Sequence, residues 1–113
     1  MADLLVDTDV CIDHLEGTRR LPGGRGDLAY SVITRAELLA GPSRQHDAAR
    51  RLLAPLREVP VDRRVAEQAG ALRREAGLRL PDALVAATAI VHHLTLHTRN
   101  HRDFRKVAGL RLR

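Results

Sequence analysis

Four acidic residues lie where a strand-like run gives way to a helix-like run: Asp7, Glu37, Asp82 and Asp103. Because a parallel sheet places the carboxyl ends of its strands along one edge, such acids would lie together there. Two unit charges about 4 Å apart repel by roughly 4 kcal/mol at an effective dielectric of about 20. The cluster therefore needs protons or a hard divalent cation, and carboxylate oxygens suit Mg²⁺ or Mn²⁺. The pattern predicts a metal-dependent phosphodiester enzyme.

Each acid taken alone also has a purely structural explanation. Asp7 can be the N-cap of the first helix. Glu37 follows Thr34 by three residues, which is the spacing of a capping box. Asp82 follows Pro81 at a helix start, where the helix dipole favours a negative charge. These explanations do not account for several such helix starts following strands of one sheet, and a capping carboxylate can also hold a metal.

The elements that would position these acids alternate between strand and helix patterns. Apolar runs predict strands at 4–6, 29–33, 58–61 and 94–98, and an edge strand at 107–112. Helical periods predict helices at 8–15, 34–40, 46–54, 63–76 and 81–93, with Gly77 ending the fourth. Residues 16–27 are rich in Gly, Pro and Arg and predict a loop. The alternation indicates an α/β fold with a mainly parallel sheet covered on both faces.

Composition limits the class of protein. The chain has 113 residues, enough for one domain spanning 1–113. It contains no apolar run near the roughly 18 residues of a membrane span, and its start lacks a signal-peptide pattern. Its single cysteine, Cys11, excludes an internal disulfide and favours a cytoplasmic protein.

Charge and aromatic content bear on the partner. The net charge is +5, from 18 Arg and one Lys against 14 acids, which favours a polyanionic partner. Tyr30 and Phe104 are the only aromatic residues, which argues against modules that stack bases on aromatic side chains. Any nucleic acid would be bound through phosphates, arginines and metal.

Four segments resemble the PIN-domain superfamily, and most closely VapC-type toxins of toxin–antitoxin pairs: LLVDTDVCIDHL, SVITRAELLAG, LPDALVAATAI and LTLHTRNHRDF. The resemblance implies a three-layer α/β/α sandwich with an acidic pocket that binds Mg²⁺ (or Mn²⁺) and cleaves RNA. Asp7, Glu37 and Asp82 match the first three acids of the family. The fourth position is Asn100 or Asp103, and Thr98 matches a hydroxyl that supports the metal site.

The resemblance also implies a role for each residue. Asp7 and Asp82 should bind the metal directly, and Glu37 should ligate a metal or orient the attacking water. Asp103 should line the pocket and bind a second metal, if one binds, through a water molecule, with Asn100 as the weaker contributor. Hydrolysis by metal-activated water would leave a 5′-phosphate and a 3′-hydroxyl. The implied partners are RNA, a VapB-type antitoxin and a second copy of the chain.

Three other functions were weighed. A PIN-like module that binds nucleic acid or a partner without cleaving would not need the intact acids. A signalling receiver domain would need a Lys near its last strand and a central phosphoacceptor Asp, for which the chain offers only Lys106 and Asp62. A zinc site would use three histidines at four-residue intervals, but a strand-like segment interrupts them: His93, His97 and His101.

Several neighbouring residues have two alternative interpretations or a role beside the site. Asp9 is interpreted as a solvated acid of the first helical turn, with an acceptor role beside the site as the alternative. Arg99 is expected to face substrate. The arginines of the 16–27 loop either bind phosphate or keep the loop solvated: Arg19, Arg20 and Arg25.

Overall fold

The computed structural model describes residues 3–23 and 27–113, so Arg25 of the predicted loop lies outside the described residues. The four strands of these two segments are β1 (Leu4–Val6), β2 (Leu28–Ser31), β3 (Arg57–Val59) and β4 (Thr95–His97). Their helices are α1 (Thr8–Glu16), α2 (Val32–Ala40), α3 (His46–Leu53), α4 (Arg63–Ala76), α5 (Leu80–Val91) and α6 (His101–Phe104). A short 3₁₀ segment, Ser43–Gln45, precedes α3.

The strands form one parallel sheet in the order β3-β2-β1-β4. Leu4 in β1 lies opposite both Leu28 and Thr95, so β1 is paired on both sides. Parallel pairing puts the carboxyl ends of all four strands at the same edge of the sheet. The residues after β1 and β4 are therefore neighbours, although they are far apart in sequence.

Helices cover both faces of the sheet, because the side chains of a strand alternate between its two faces. Leu5 packs with buried residues of α4 and α5, and Val6 packs with buried residues of α1 and α3. Several alanines of α5 are fully buried, and their small side chains allow close packing on the sheet. The structure confirms the predicted three-layer α/β/α sandwich.

Local sequence signals placed several element ends correctly. Helix α4 spans the predicted residues and ends at Gly77, whose φ of 68° is a left-handed conformation that glycine adopts without strain. Asp62 caps the start of α4 by accepting a hydrogen bond from Val65 N at 3.0 Å.

The three spaced histidines fall after α5, within β4 and within α6, so they do not share a helix face. No helix in the described segments has the length and apolarity that a bilayer crossing requires.

The predicted edge strand at 107–112 is wrong for most of its length. A turn brings Val107 N to Phe104 O at 3.0 Å, and Gly109 has a φ of 82°, so the chain folds back before it extends. Only the last three residues lie against β4, where Leu96 N donates to Arg111 O and Arg113 N donates to Leu96 O, both at 2.8 Å. Leu96 and Leu112 form a single parallel bridge.

Candidate active site

Asp7 lies at the carboxyl end of the central strand and is the N-cap of α1. Its Oδ1 accepts a hydrogen bond from Thr8 N at 2.8 Å, and its Oδ2 accepts one from Thr98 Oγ1 at 2.9 Å. Thr98 directly follows β4, and Asp7 N donates to His97 O at 2.9 Å. Both side chains are buried, with Asp7 7% and Thr98 4% exposed. The parallel pairing of β1 with β4 thus joins two site residues 91 positions apart.

Asp9 also contacts this pair and is not the solvated acid expected from its position. Its Oδ2 accepts hydrogen bonds from Thr98 Oγ1 at 3.2 Å and from Arg99 N at 3.1 Å. Its Oδ1 is buried and accepts no hydrogen bond from the described residues. The interpretation of Asp9 as a solvated acid is therefore wrong, and the alternative, an acceptor beside the site, holds.

The negative charges of Asp9 and Asp82 both act on the carboxylate of Asp7. Burial raises the pKa of Asp7 from 3.8 to about 6, and the negative charge of Asp9 is the next largest cause. Hydrogen bonds from Thr8 and Thr98 lower this pKa, and the charge of Asp82 raises it further. Because the charges of Asp9 and Asp82 both act on the buried carboxylate of Asp7, a bound cation would relieve the repulsion.

Asp82 reaches this region by a different route from the one predicted. Helix α4 leads through residues 77–79 directly into α5 with no strand between them, and Asp82 is the third residue of α5. The positive end of the helix dipole favours its carboxylate there. Its side chain is 20% exposed, and Oδ2 lies 3.6 Å from Nε of the largely exposed Arg79. The expectation that every acid follows a strand is therefore wrong for Asp82.

Glu37 is likewise not at a strand end. Ser31 is the N-cap of α2, where its Oγ accepts from Ile33 N at 3.1 Å, so the predicted Thr34 capping box is wrong. The helix starts two residues before the predicted Thr34, and Glu37 becomes its sixth residue. Glu37 Oε1 instead accepts a hydrogen bond from Thr8 Oγ1 at 2.6 Å. Glu37 is thereby linked to the residue that follows Asp7.

Asn100 and Asp103 form a chain of hydrogen bonds that leads to Asp7 through Thr98. Asn100 N donates to Thr98 Oγ1 at 3.0 Å, and Asn100 Nδ2 donates to Asp103 Oδ2 at 3.2 Å. Asn100 Oδ1 caps the short helix α6 by accepting from Asp103 N at 3.4 Å. Whether Asn100 or Asp103 acts on a metal stays a prediction.

Arg99 forms an ion pair and is half exposed, and its expected contact with substrate stays a prediction. Its Nε lies 3.1 Å from Asp13 Oδ2, and the Asp13 side chain is only 13% exposed. The sequence interpretation missed Asp13 and Thr8. Asp13 follows Asp9 by four residues in a helix, so the two share a face, and this spacing was the available signal. For Thr8 there was no local signal.

The donor chemistry of the site fits a hard cation. Asp7 and Asp82 offer carboxylate oxygens, and the buried carboxylate of Asp9 adds negative charge nearby. Mg²⁺ is commonly held by one or two carboxylates together with water and substrate phosphates. Within residues 3–23 and 27–113, no three His, Cys, Asp or Glu side chains are close enough to hold a metal unaided. The arrangement therefore suits a loosely held ion rather than a closed structural site.

Comparison with known proteins agrees with this arrangement. A sequence model of the PIN domain family matches residues 4–110. A chain of a toxin-antitoxin complex from Klebsiella pneumoniae is 36% identical, covers 95% of this chain and 94% of its own length, and has a TM-score of 0.82. No curated protein matches the chain.

Two further solved structures share the fold. A chain of DNA-bound VapBC from Salmonella typhimurium has a TM-score of 0.90 at 23% identity, covering 100% of this chain and 98% of that one. A chain of VapBC-5 from Mycobacterium tuberculosis has a TM-score of 0.73 at 25% identity, covering 97% of each chain. Together with the family match, these structures confirm the resemblance drawn from the four sequence segments.

Proposed function

Because this chain belongs to the PIN domain family, we propose that it is the toxin of a VapBC-type pair and a Mg²⁺- or Mn²⁺-dependent endoribonuclease. The observation that carries the proposal is the carboxylate of Asp7. It is buried at the end of β1, hydrogen-bonded to Thr98, and close enough to Asp9 and Asp82 for their charges to raise its pKa. A fold has no structural need for this concentration of negative charge, whereas a cation site does.

The acids have distinct roles in this proposal. Asp7 and Asp82 hold the cation, which when bound would lower the pKa of a water molecule and stabilise charge on the scissile phosphate. Glu37 is exposed, and its Oε1 is held by the Thr8 hydroxyl. Its carboxylate is thus oriented to position the attacking water or to assist the cation. Attack by water, rather than by a ribose hydroxyl, leaves a 5′-phosphate and a 3′-hydroxyl.

The substrate is proposed from charge and from the family. The chain has a net charge of +5, and six arginines that lie on or next to α3 and α4 are exposed: Arg50, Arg51, Arg63, Arg64, Arg73 and Arg74. Exposed arginines attract a phosphate backbone without reading bases. The proposed toxin role implies that the polymer is RNA and that the protein acts in the cytoplasm.

Cleavage of RNA tests the proposal directly. The purified chain with Mn²⁺ should cut a labelled single-stranded RNA into fragments with 5′-phosphate ends, and EDTA should abolish cutting because the acids then lack their cation. Asp7→Asn protein purified in parallel controls for contaminating nucleases. Equal cleavage with EDTA, or equal cleavage by the variant, would show that the activity does not come from this site. A folded chain that binds Mn²⁺ but cuts nothing would favour the catalytically silent alternative.

The antitoxin is the second part of the proposal, since the solved structures that resemble this chain come from toxin-antitoxin complexes. Expression of the chain alone should arrest bacterial growth, and co-expression of the adjacent reading frame should restore it. Expression of Asp7→Asn at the same level should allow growth, because its site lacks one carboxylate. Normal growth with abundant, folded wild-type protein would contradict the toxin role. A homodimer that brings two acidic sites together belongs to the same proposal.

A further inference from the structure

The Thr98 hydroxyl has one proton and two carboxylates within hydrogen-bond distance. Its Oγ1 lies 2.9 Å from Asp7 Oδ2 and 3.2 Å from Asp9 Oδ2. A hydroxyl donates one proton and accepts through two lone pairs. One lone pair already accepts from Asn100 N at 3.0 Å, which limits how the hydroxyl can turn. The proton can therefore point to Asp7 or to Asp9, but it cannot serve both fully.

We infer that Asp9 is a positioning residue for the cation site, an inference that rests on the proposed function. Its Oδ2 accepts the Arg99 backbone N–H and offers the Thr98 hydroxyl a second acceptor. When the hydroxyl donates to Asp9, Asp7 Oδ2 is free of that hydrogen bond, which leaves more of its negative charge for a cation. Asp9 thus holds the turn after β4 and takes the proton that would otherwise compete for the ligand oxygen.

A purely structural role explains less of what is seen. Holding the Arg99 N–H requires one neutral acceptor, but Asp9 brings a full charge next to Asp7 and buries Oδ1, which accepts no hydrogen bond from residues 3–23 or 27–113. Leaving a charged oxygen buried and unpaired is costly. Asp13 already ties the same turn to α1 through its ion pair with Arg99 at 3.1 Å. Asp9 also gives the Thr98 hydroxyl an acceptor other than Asp7, which the ion pair of Asp13 does not provide.

The test measures Mn²⁺ binding by calorimetry in the absence of RNA, alongside RNA cleavage. Asp9→Ala should weaken Mn²⁺ binding about 10–100-fold, the usual cost of losing a residue that orients a ligand. Adding Asp9→Ala to Thr98→Val should cause no further loss, because Thr98→Val has already removed the proton that Asp9 takes. Asp9→Asn keeps an oxygen acceptor and should recover most of the affinity. Asp47→Asn, which removes an exposed acid on α3, is the matched control and should bind as wild type does.

Each outcome decides the inference. If Asp9→Asn binds as weakly as Asp9→Ala, Asp9 acts through its charge or as a ligand, and the positioning role is wrong. A further loss on adding Asp9→Ala to Thr98→Val, or wild-type binding by Asp9→Ala, also overturns it while leaving the proposed function standing. A wild-type chain that neither binds Mn²⁺ nor cleaves RNA overturns both. If Asp9→Ala does not fold, Asp9→Leu replaces it, because leucine matches the shape of aspartate without an acceptor.

Discussion

Replacing Asp7 with asparagine is expected to reduce RNA cleavage by more than about a hundredfold, the upper end of losses typical of an outer-shell residue. Asp7 is buried, and its two oxygens are oriented by Thr8 N and Thr98 Oγ1, so the variant replaces a fixed carboxylate with a neutral amide. Single-turnover cleavage with saturating Mn²⁺ measures the loss, with Asp47→Asn as a control for removal of one negative charge. Wild-type cleavage by folded Asp7→Asn protein would make the assignment of Asp7 wrong.

The same change should stabilise the metal-free protein at neutral pH. The pKa of Asp7 is about 6 in the folded chain and 3.8 without the fold, so between these values the folded state binds more protons. Stability from this group is therefore present below pH 3.8 and lost as pH rises through 6, at a cost of about 3 kcal/mol. Asparagine does not titrate, so it avoids that loss.

Unfolding of both proteins in EDTA at pH 4 to 8 checks this expectation. The free energy of unfolding of Asp7→Asn relative to wild type should rise from pH 4 to about pH 6 and then level off. The amide oxygen can still accept from Thr8 N, and the Thr98 hydroxyl can donate to Asp9 instead, so little capping stability is lost. A difference that stays constant with pH would show that the Asp7 carboxyl titrates normally.

Asp82→Ala is the second change with a large expected effect, and it should slow cleavage more than Asp103→Ala. Asp82 lies close enough to Asp7 to raise its pKa, whereas Asp103 is linked to Asp7 only through Asn100 and Thr98. Asp103→Ala should cost about 10–100-fold in Mn²⁺ affinity and rate, as outer-shell losses do. Single-turnover rates and Mn²⁺ titrations of the variants give this ranking.

Asn100→Ala should cost less activity than either acid. The contact with Thr98 uses the backbone N–H of Asn100, which alanine keeps. The change removes the α6 cap and the hydrogen bond from the Asn100 side-chain amide to Asp103, so about 1 kcal/mol of stability should be lost. If Asn100→Ala is the most damaging of the three, the fourth site residue is Asn100 and the ranking is wrong.

Much of the fold followed from local signals in the sequence. The apolar period of α4 and the glycine after it predicted both helix ends, because a helix is stabilised by contacts three and four residues apart and by its caps. The short apolar runs predicted the four paired strands, and their alternation with helices predicted a parallel sheet. Asp7 was placed at the end of β1 for the same reason.

The arrangement of the site depended on tertiary structure. Asp82 acts on Asp7 from a helix that follows another helix rather than a strand. Glu37 lies in the middle of α2 and accepts a hydrogen bond from Thr8. Asp9 bonds to Thr98 across 89 positions. Such contacts depend on which strands become neighbours and on how helices cross the sheet, and neither property is encoded in a local pattern of residues. The sequence determined which acids, helices and strands the chain has. The positions of α1 and α5 at the carboxyl ends of the strands decided which of those acids lie near one another.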